Sequence, residues 1–162
     1  MSVYSFRAVT ETDLLMLAKW LRMPEAVRWW GEPDEQLALI REDFGIVAMR
    51  QWIVSCDGQP FAYAQAYEVH TWPQPHLAHL PRGTMAIDTF IGVAQMVGRG
   101  HGSAFLRLLA EVLIADGAPL VAIDPDLDNA RAQAAYRNAG FRDEATVETD
   151  TGPALLMIFR RG

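Results

Sequence analysis

Gln95-Met96-Val97-Gly98-Arg99-Gly100-His101-Gly102 runs directly into an apolar helical stretch, Ser103–Ala115, and the reading of this junction decides the fold. Glycines at alternate positions let the main chain pass close to a ligand and leave a row of backbone N–H groups turned toward one point. The following helix brings the positive end of its dipole to the same place, so the segment suits an anion. Its spacing does not fit a Gly-x-Gly-x-x-Gly dinucleotide loop, and no Gly-Lys-Ser/Thr follows for a P-loop. A flexible glycine turn ahead of a core helix satisfies the same residues. Outward from the junction, Thr84–Ile91 reads as a strand leading in, and Leu120–Ile123 as a short buried strand leading out. Strand, crossover helix and strand imply a parallel pair.

The rest of the chain supplies the flanks. Tyr4–Val9 alternates like a strand. Thr10 and Asp13 then offer a helix start, and Leu14, Leu15, Leu17, Ala18 and Leu21 form a helical apolar stripe that Pro24 is expected to close. A second helix is expected from Asp34 to about Phe44. Arg50–Cys56 and Phe61–Glu68 are strands joined through Asp57-Gly58, a strong hairpin signal. Residues 69–83 hold four prolines or glycines and three histidines, and read as a loop. Asn129–Asn138 is a helix ended by Gly140, and Phe141–Thr149 with Ala154–Arg160 a closing hairpin around Asp150-Thr151-Gly152. The expected class is α/β (α+β), a mixed central sheet with one parallel pair flanked by helices.

Composition narrows the function classes. A chain of 162 residues without repeats or a linker is expected to be one domain, 1–162. With 51% hydrophobic and 21% charged residues it has the balance of a globular protein. No run approaches the ~18 apolar residues of a membrane span, and Met1–Thr10 does not form a signal segment, so the expected compartment is the cytoplasm. A net charge of −6 argues against general nucleic-acid binding and suits a cationic substrate. Cys56 is the only cysteine, which excludes an internal disulfide. His70, His76 and His79 lie in a proline-rich loop without nearby cysteine and read as solvated; no metal is expected.

A second segment, Asn129-Ala130-Arg131-Ala132-Gln133-Ala134-Ala135-Tyr136-Arg137-Asn138-Ala139-Gly140-Phe141, sharpens the reading. Together with Gln95–Gly102 it resembles the GCN5-related N-acetyltransferases (GNAT), whose first motif holds the coenzyme A pyrophosphate. Trp29-Trp30-Gly31, Tyr63-Ala64-Gln65-Ala66-Tyr67, Ile87-Asp88-Thr89-Phe90, Asp124-Pro125 and Asp150-Thr151-Gly152-Pro153-Ala154 are similar to the aminoglycoside 6′-N-acetyltransferase branch. The resemblance runs from Phe6 to Phe159 and lapses over residues 69–83. It implies a parallel strand pair splayed around acetyl-CoA. The coenzyme would be held by Phe90, Ile91, Val97, Gly98, Arg99, Gly100, His101, Gly102, Ser103, Asn129 and Ala132.

Several of these residues admit a structural reading beside the functional one. Asn129 can cap the helix it starts or bond the pantetheine arm. Tyr136 can be a core tyrosine; the resemblance makes it the general acid that meets the leaving sulfur, its phenol having an ordinary pKa near ~10. Asp88 is a carboxylate in a predicted central strand, costly unless paired, for instance with Arg82, or functional. The resemblance makes it the general base at the acceptor amine. Asp124 can serve an Asp-Pro turn or sit where α/β sheets bind ligands, and the resemblance makes it a second cation anchor. Trp30, Phe44 and Tyr67 are the implied acceptor walls, with Phe44 standing where the family has a tyrosine.

The implied activity is acetyl-CoA-dependent acetylation of a primary amine on a small cationic acceptor, with aminoglycosides and antibiotic resistance the first class to test. The family's acidic drug-facing loop is replaced here by residues 69–83, which carry Arg82 and no carboxylate. That favours an acceptor with one or two positive charges. It keeps open a metabolite amine, a siderophore-like hydroxylamine or a peptide N-terminus. A non-catalytic acyl-CoA-binding module needs none of Asp88, Asp124 and Tyr136. The expected partner is a small-molecule amine, without nucleic acid or membrane, and the protein a monomer or homodimer.

Overall fold

The computed structural model describes residues 1–161. Its strands are β1 (Tyr4–Ala8), β2 (Met49–Cys56), β3 (Gln59–Glu68), β4 (Met85–Ile91), β5 (Val121–Ile123), β6 (Arg142–Thr149) and β7 (Gly152–Phe159). Its helices are α1 (Leu14–Leu21), α2 (Pro24–Trp30), α3 (Pro33–Glu42), α4 (His101–Ala115) and α5 (Ala130–Ala139). The seven strands form a sheet in the order β1-β2-β3-β4-β5-β7-β6. β4 and β5 pair in parallel, while β1 with β2, β5 with β7 and β6 with β7 are antiparallel. This is the mixed α/β class the alternation of elements implied.

The chain forms two compact units: Met1–Gln65 with Thr89–Arg99, and Ala66–Asp88 with the chain from Gly100 onward. In the first, Leu17, Trp20 and Leu21 of α1 pack with Ile40, Ile53, Tyr63 and Phe90 in one core cluster. Asp57 and Gly58 turn β2 into β3 with φ of 49° and 84°, the left-handed pair a two-residue hairpin demands. Pro24 does not simply end α1, which stops at Leu21; it opens the separate helix α2 from its first turn. Proline there lacks only an N–H that the first turn leaves unpaired anyway.

In the second unit, α4 buries Phe105, Leu106, Leu109, Ala110, Leu113 and Ile114, the stripe its periodicity predicted. β7 is buried from Ala154 to Phe159, whereas its edge partner β6 is largely exposed. Asn129 caps α5 by accepting a hydrogen bond from Ala132 N at 3.2 Å. Gly140 ends α5 in the left-handed conformation, with φ of 110°. A side chain at Gly140 would also meet Phe159 Cε2 at 3.0 Å.

Candidate active site

The site grows from the parallel pair. Met85 faces Val121 and Ala86 faces Ala122, and there the pairing stops. Continued at the same offset, the register would set Asp88 beside Asp124. Past Asp124 the ladder cannot resume, since Pro125 has no N–H to give it. The chain after β5 turns instead to β7: Leu155 N donates to Pro125 O at 2.9 Å, and Leu127 N to Pro153 O at 3.1 Å. Asp88 thus lies on β4 two residues beyond the last parallel pair, and Asp124 directly follows β5, both in the second unit.

Two phenols share their surroundings. Tyr136 on α5 is raised above its ordinary pKa by burial first, then by the negative charges of Asp88 and Asp124. Tyr67 near the end of β3 is raised by the same causes in the same order; a hydrogen bond from Gln74 Nε2 at 2.7 Å opposes the rise. Both carboxylates thus act electrostatically on both phenols. At neutral pH the phenols remain O–H donors beside two groups that attract cations. Asp88, Asp124, Tyr67 and Tyr136 are the expected site residues that the second unit brings together.

The segment 69–83 is not the open, solvated loop its composition suggested. Glu68 holds both of its ends. One oxygen accepts from His70 N at 3.0 Å, Thr71 N at 2.7 Å and the Thr71 hydroxyl at 2.9 Å. The other accepts from Gly83 N at 2.9 Å. Desolvation pushes the Glu68 carboxyl up, but these bonds together hold it below its ordinary value. Between those ends lies a short 3-10 turn, Pro75–Leu77, and Leu77 and Leu80 are buried.

This turn delivers His76, whose Nε2 lies 2.6 Å from Asp124 Oδ2; its side chain is 6% exposed. Expected as solvated, His76 is instead a buried partner of a site carboxylate. Sequence reasoning missed it because the contact joins residues 48 apart. The strand-ending Glu68 with Thr71 three residues on was the available signal, since that spacing resembles a cap. His70 is likewise engaged, its Nε2 lying 2.6 Å from Leu80 O.

The glycine segment has the expected form with one refinement. Gly98 and Gly100 have φ of 75° and 85°, while Gly102 already belongs to the first turn of α4. A Cβ added at Gly98 or Gly100 would meet nothing within 4 Å, so the space before this backbone is open. No acidic residue occurs from Thr89 to Ala110, and Arg99 is exposed. The amides of Gly102 and Ser103, in the first turn of α4, are among those an α-helix leaves without an internal partner. The Ser103 hydroxyl donates to Ala135 O at 2.7 Å, which ties α4 to α5. A polyanion fits this donor set. Asn129 uses its side-chain oxygen as a cap, the structural role its sequence allowed.

Trp30 and Phe44, expected as acceptor walls, belong to the first unit. The Trp30 ring stands edge-on to Phe90 at 4.8 Å and to Tyr63 at 6.0 Å, and Phe44 packs against the same cluster.

A family model described as an acetyltransferase (GNAT) domain matches residues 9–149. The aminoglycoside N(6')-acetyltransferase type 1 of Klebsiella pneumoniae is 32% identical over 170 residues, covering 97% of this chain and 83% of that protein. A kanamycin resistance protein of Rhizobium radiobacter is 36% identical over 80 residues, covering 49% of this chain and 74% of that one. The solved structure of AAC(6')-Ib with coenzyme A and kanamycin superposes with a TM-score of 0.85 at 32% identity, covering 98% of this chain and 95% of that chain.

Proposed function

The chain belongs to the GNAT acetyltransferases, and from that premise we propose that it moves the acetyl group of acetyl-CoA to a primary amine of an aminosugar acceptor. The acceptor class is that for which its relatives are named, the aminoglycosides, with the 6′-amine as the position modified. The observation that carries the reading is the β4–β5 register, which continued would set Asp88 level with Asp124, with the charge of both carboxylates felt at the Tyr67 and Tyr136 phenols. Carboxylates that can take ammonium groups act on phenols that keep an O–H for a leaving sulfur.

Val97, Gly98, Arg99, Gly100, His101, Gly102 and Ser103 would hold the diphosphate through backbone amides and the Arg99 charge. Acetyl-CoA supplies an activated thioester and a good leaving group. Asp88 receives the acceptor's ammonium and takes its proton, directly or through a water, so that the nitrogen presents a lone pair. Asp124 holds the acceptor in place by a charge-assisted contact. Tyr136 keeps its proton and donates it, as a hydrogen bond or outright, to the departing sulfur. An ammonium entering at Asp88 weakens the carboxylates' hold on the Tyr136 proton. Acceptor binding thereby makes the phenol a better acid. We take residues 1–162 to act as one domain in the cytoplasm.

A second reading, an amine with only one or two positive charges, is favoured by the acid-free segment 69–83 and by the hold of His76 on Asp124. Release of free thiol from acetyl-CoA, followed with kanamycin, glucosamine and a diamine, tests both. A kcat/KM for kanamycin above ~10⁴ M⁻¹s⁻¹, the low end for a true substrate, establishes the aminoglycoside reading. Efficient turnover of glucosamine or the diamine alone establishes the second. Thiol release with none of them overturns both.

A further inference from the structure

Asp124 is only 21% exposed, and His76 Nε2 engages its Oδ2 oxygen at 2.6 Å. Among the described residues no hydrogen bond is recorded to its other oxygen, Oδ1. The placement of His76 is built rather than incidental. Glu68 fixes both ends of the segment, Gln74 two residues earlier donates to Tyr67, and Leu77 on the next position is buried to 1% exposure. The imidazole itself is 6% exposed, so swinging it to solvent would forfeit its burial as well as its contact with Asp124. Whether it donates as a neutral ring or as a cation, it takes up one of the two oxygens that an ammonium would otherwise approach.

We propose that His76 is a specificity-determining residue, which by occupying one oxygen of Asp124 limits the cationic charge the acceptor can place there. The proposal rests on the reading of Asp124 as an acceptor anchor and says what this chain's own loop does to that anchor. An acceptor with a single ammonium needs Asp88 alone and is indifferent to His76. One that brings a further ammonium to Asp124 must share the carboxylate with the imidazole. Removing the imidazole leaves a half-buried carboxylate short of one partner, and such a group gains most from a cation.

Calorimetric titration of kanamycin and of glucosamine into the protein saturated with coenzyme A tests this. In His76→Leu the ratio of kanamycin to glucosamine affinity should rise by roughly tenfold, the scale of one charge-assisted hydrogen bond. His76→Gln, which keeps an N–H donor within reach, should restore the wild-type ratio, and acetyl-CoA affinity should not move in either variant. An unchanged ratio in folded His76→Leu overturns the proposal, as does an equal loss of affinity for both amines and the coenzyme. Should His76→Leu fail to fold, the wild-type protein decides. Its His76 ring resonances should shift on titration with kanamycin and stay in place with glucosamine, and identical behaviour overturns the proposal. Because these readouts are of binding, they stand apart from thiol release, whose failure would instead sink the proposed reaction.

Discussion

Tyr136 and Asp88 depend on each other, and two substitutions separate their roles. Burial and the charges of Asp88 and Asp124 keep the Tyr136 phenol protonated, so its value to the reaction is a proton held at the point of departure. Tyr136→Phe should lower kcat by roughly 10²-fold while leaving acetyl-CoA affinity within a factor of two, the range removal of one general acid gives. Single-turnover kinetics with equilibrium binding checks this, and unchanged kcat would return Tyr136 to the core beside Phe141, whose ring centroid lies 6.5 Å away. Asp88→Asn is nearly isosteric but can neither take a proton nor neutralise an ammonium. Turnover should fall by at least ~10²-fold with the melting temperature preserved. A structural carboxylate would show the reverse pattern, a lowered melting temperature with normal turnover once folded. Measuring both quantities on one preparation discriminates between them.

At the scale of elements, the parts read correctly from sequence are those whose signals are local. The Gly98–Gly100 turn, the apolar stripe of α4, the cap at Asn129 and the Asp57-Gly58 hairpin each lie within a few residues of the structure they cause. The parallel pair followed from connectivity alone. What escaped depends on partners distant in sequence, or on a residue with two meanings. His76 meets Asp124 across 48 residues of sequence, and Pro24 can stop one helix or start another. Gly92 is a further case, since nothing around it announces the reason for glycine. Its N–H donates to Phe61 O at 2.7 Å, and a Cβ there would lie 2.1 Å from Trp20 Cγ. The backbone is held by the strand and Trp20 by the α1 core, so neither can give way. Gly92→Ala should cost about 3 kcal/mol or more, the upper range for forced overpacking. Urea denaturation measures this directly, and a loss below ~1 kcal/mol would mean that the Trp20 packing is loose. Gly98→Ala, which adds a methyl to open space, is the control for backbone strain alone.

For the whole molecule, stability should form a plateau at neutral pH with a limb on each side, and the sign of each limb follows from particular groups. In the first unit, hydrogen bonds from Arg7 hold the Asp13 carboxyl below its ordinary value, against desolvation. The guanidinium forks onto both oxygens at 2.7 and 2.8 Å, and Thr10 N adds a third bond at 2.8 Å. In the second unit, Glu68 is depressed by the amides of the 69–83 segment despite its desolvation. A carboxyl whose pKa is lower folded than unfolded stabilises the fold above its unfolded value, near ~4, and loses that contribution as pH falls through the folded value. Asp43, raised by desolvation and by Glu42, works in the opposite sense and blunts the acid limb slightly. On the alkaline side, Tyr67 and Tyr136 are raised, so their contribution is complete below the unfolded tyrosine value near ~10 and fades as pH climbs beyond it. Unfolding free energy should therefore hold steady between about pH 6 and pH 9 and fall below pH 5, by at most ~1.4 kcal/mol per pH unit for each such carboxyl. Asp13→Asn tests the assignment. The variant should start below wild type at pH 7 by about 1.5–3 kcal/mol, the worth of hydrogen bonds to a charged group. It should then lose stability less steeply toward pH 3, so that the two curves converge. Urea melts at pH 7, 5, 4 and 3 supply the slopes. Parallel curves would mean that the acid limb belongs to other carboxyls and that the Arg7 fork contributes nothing to it.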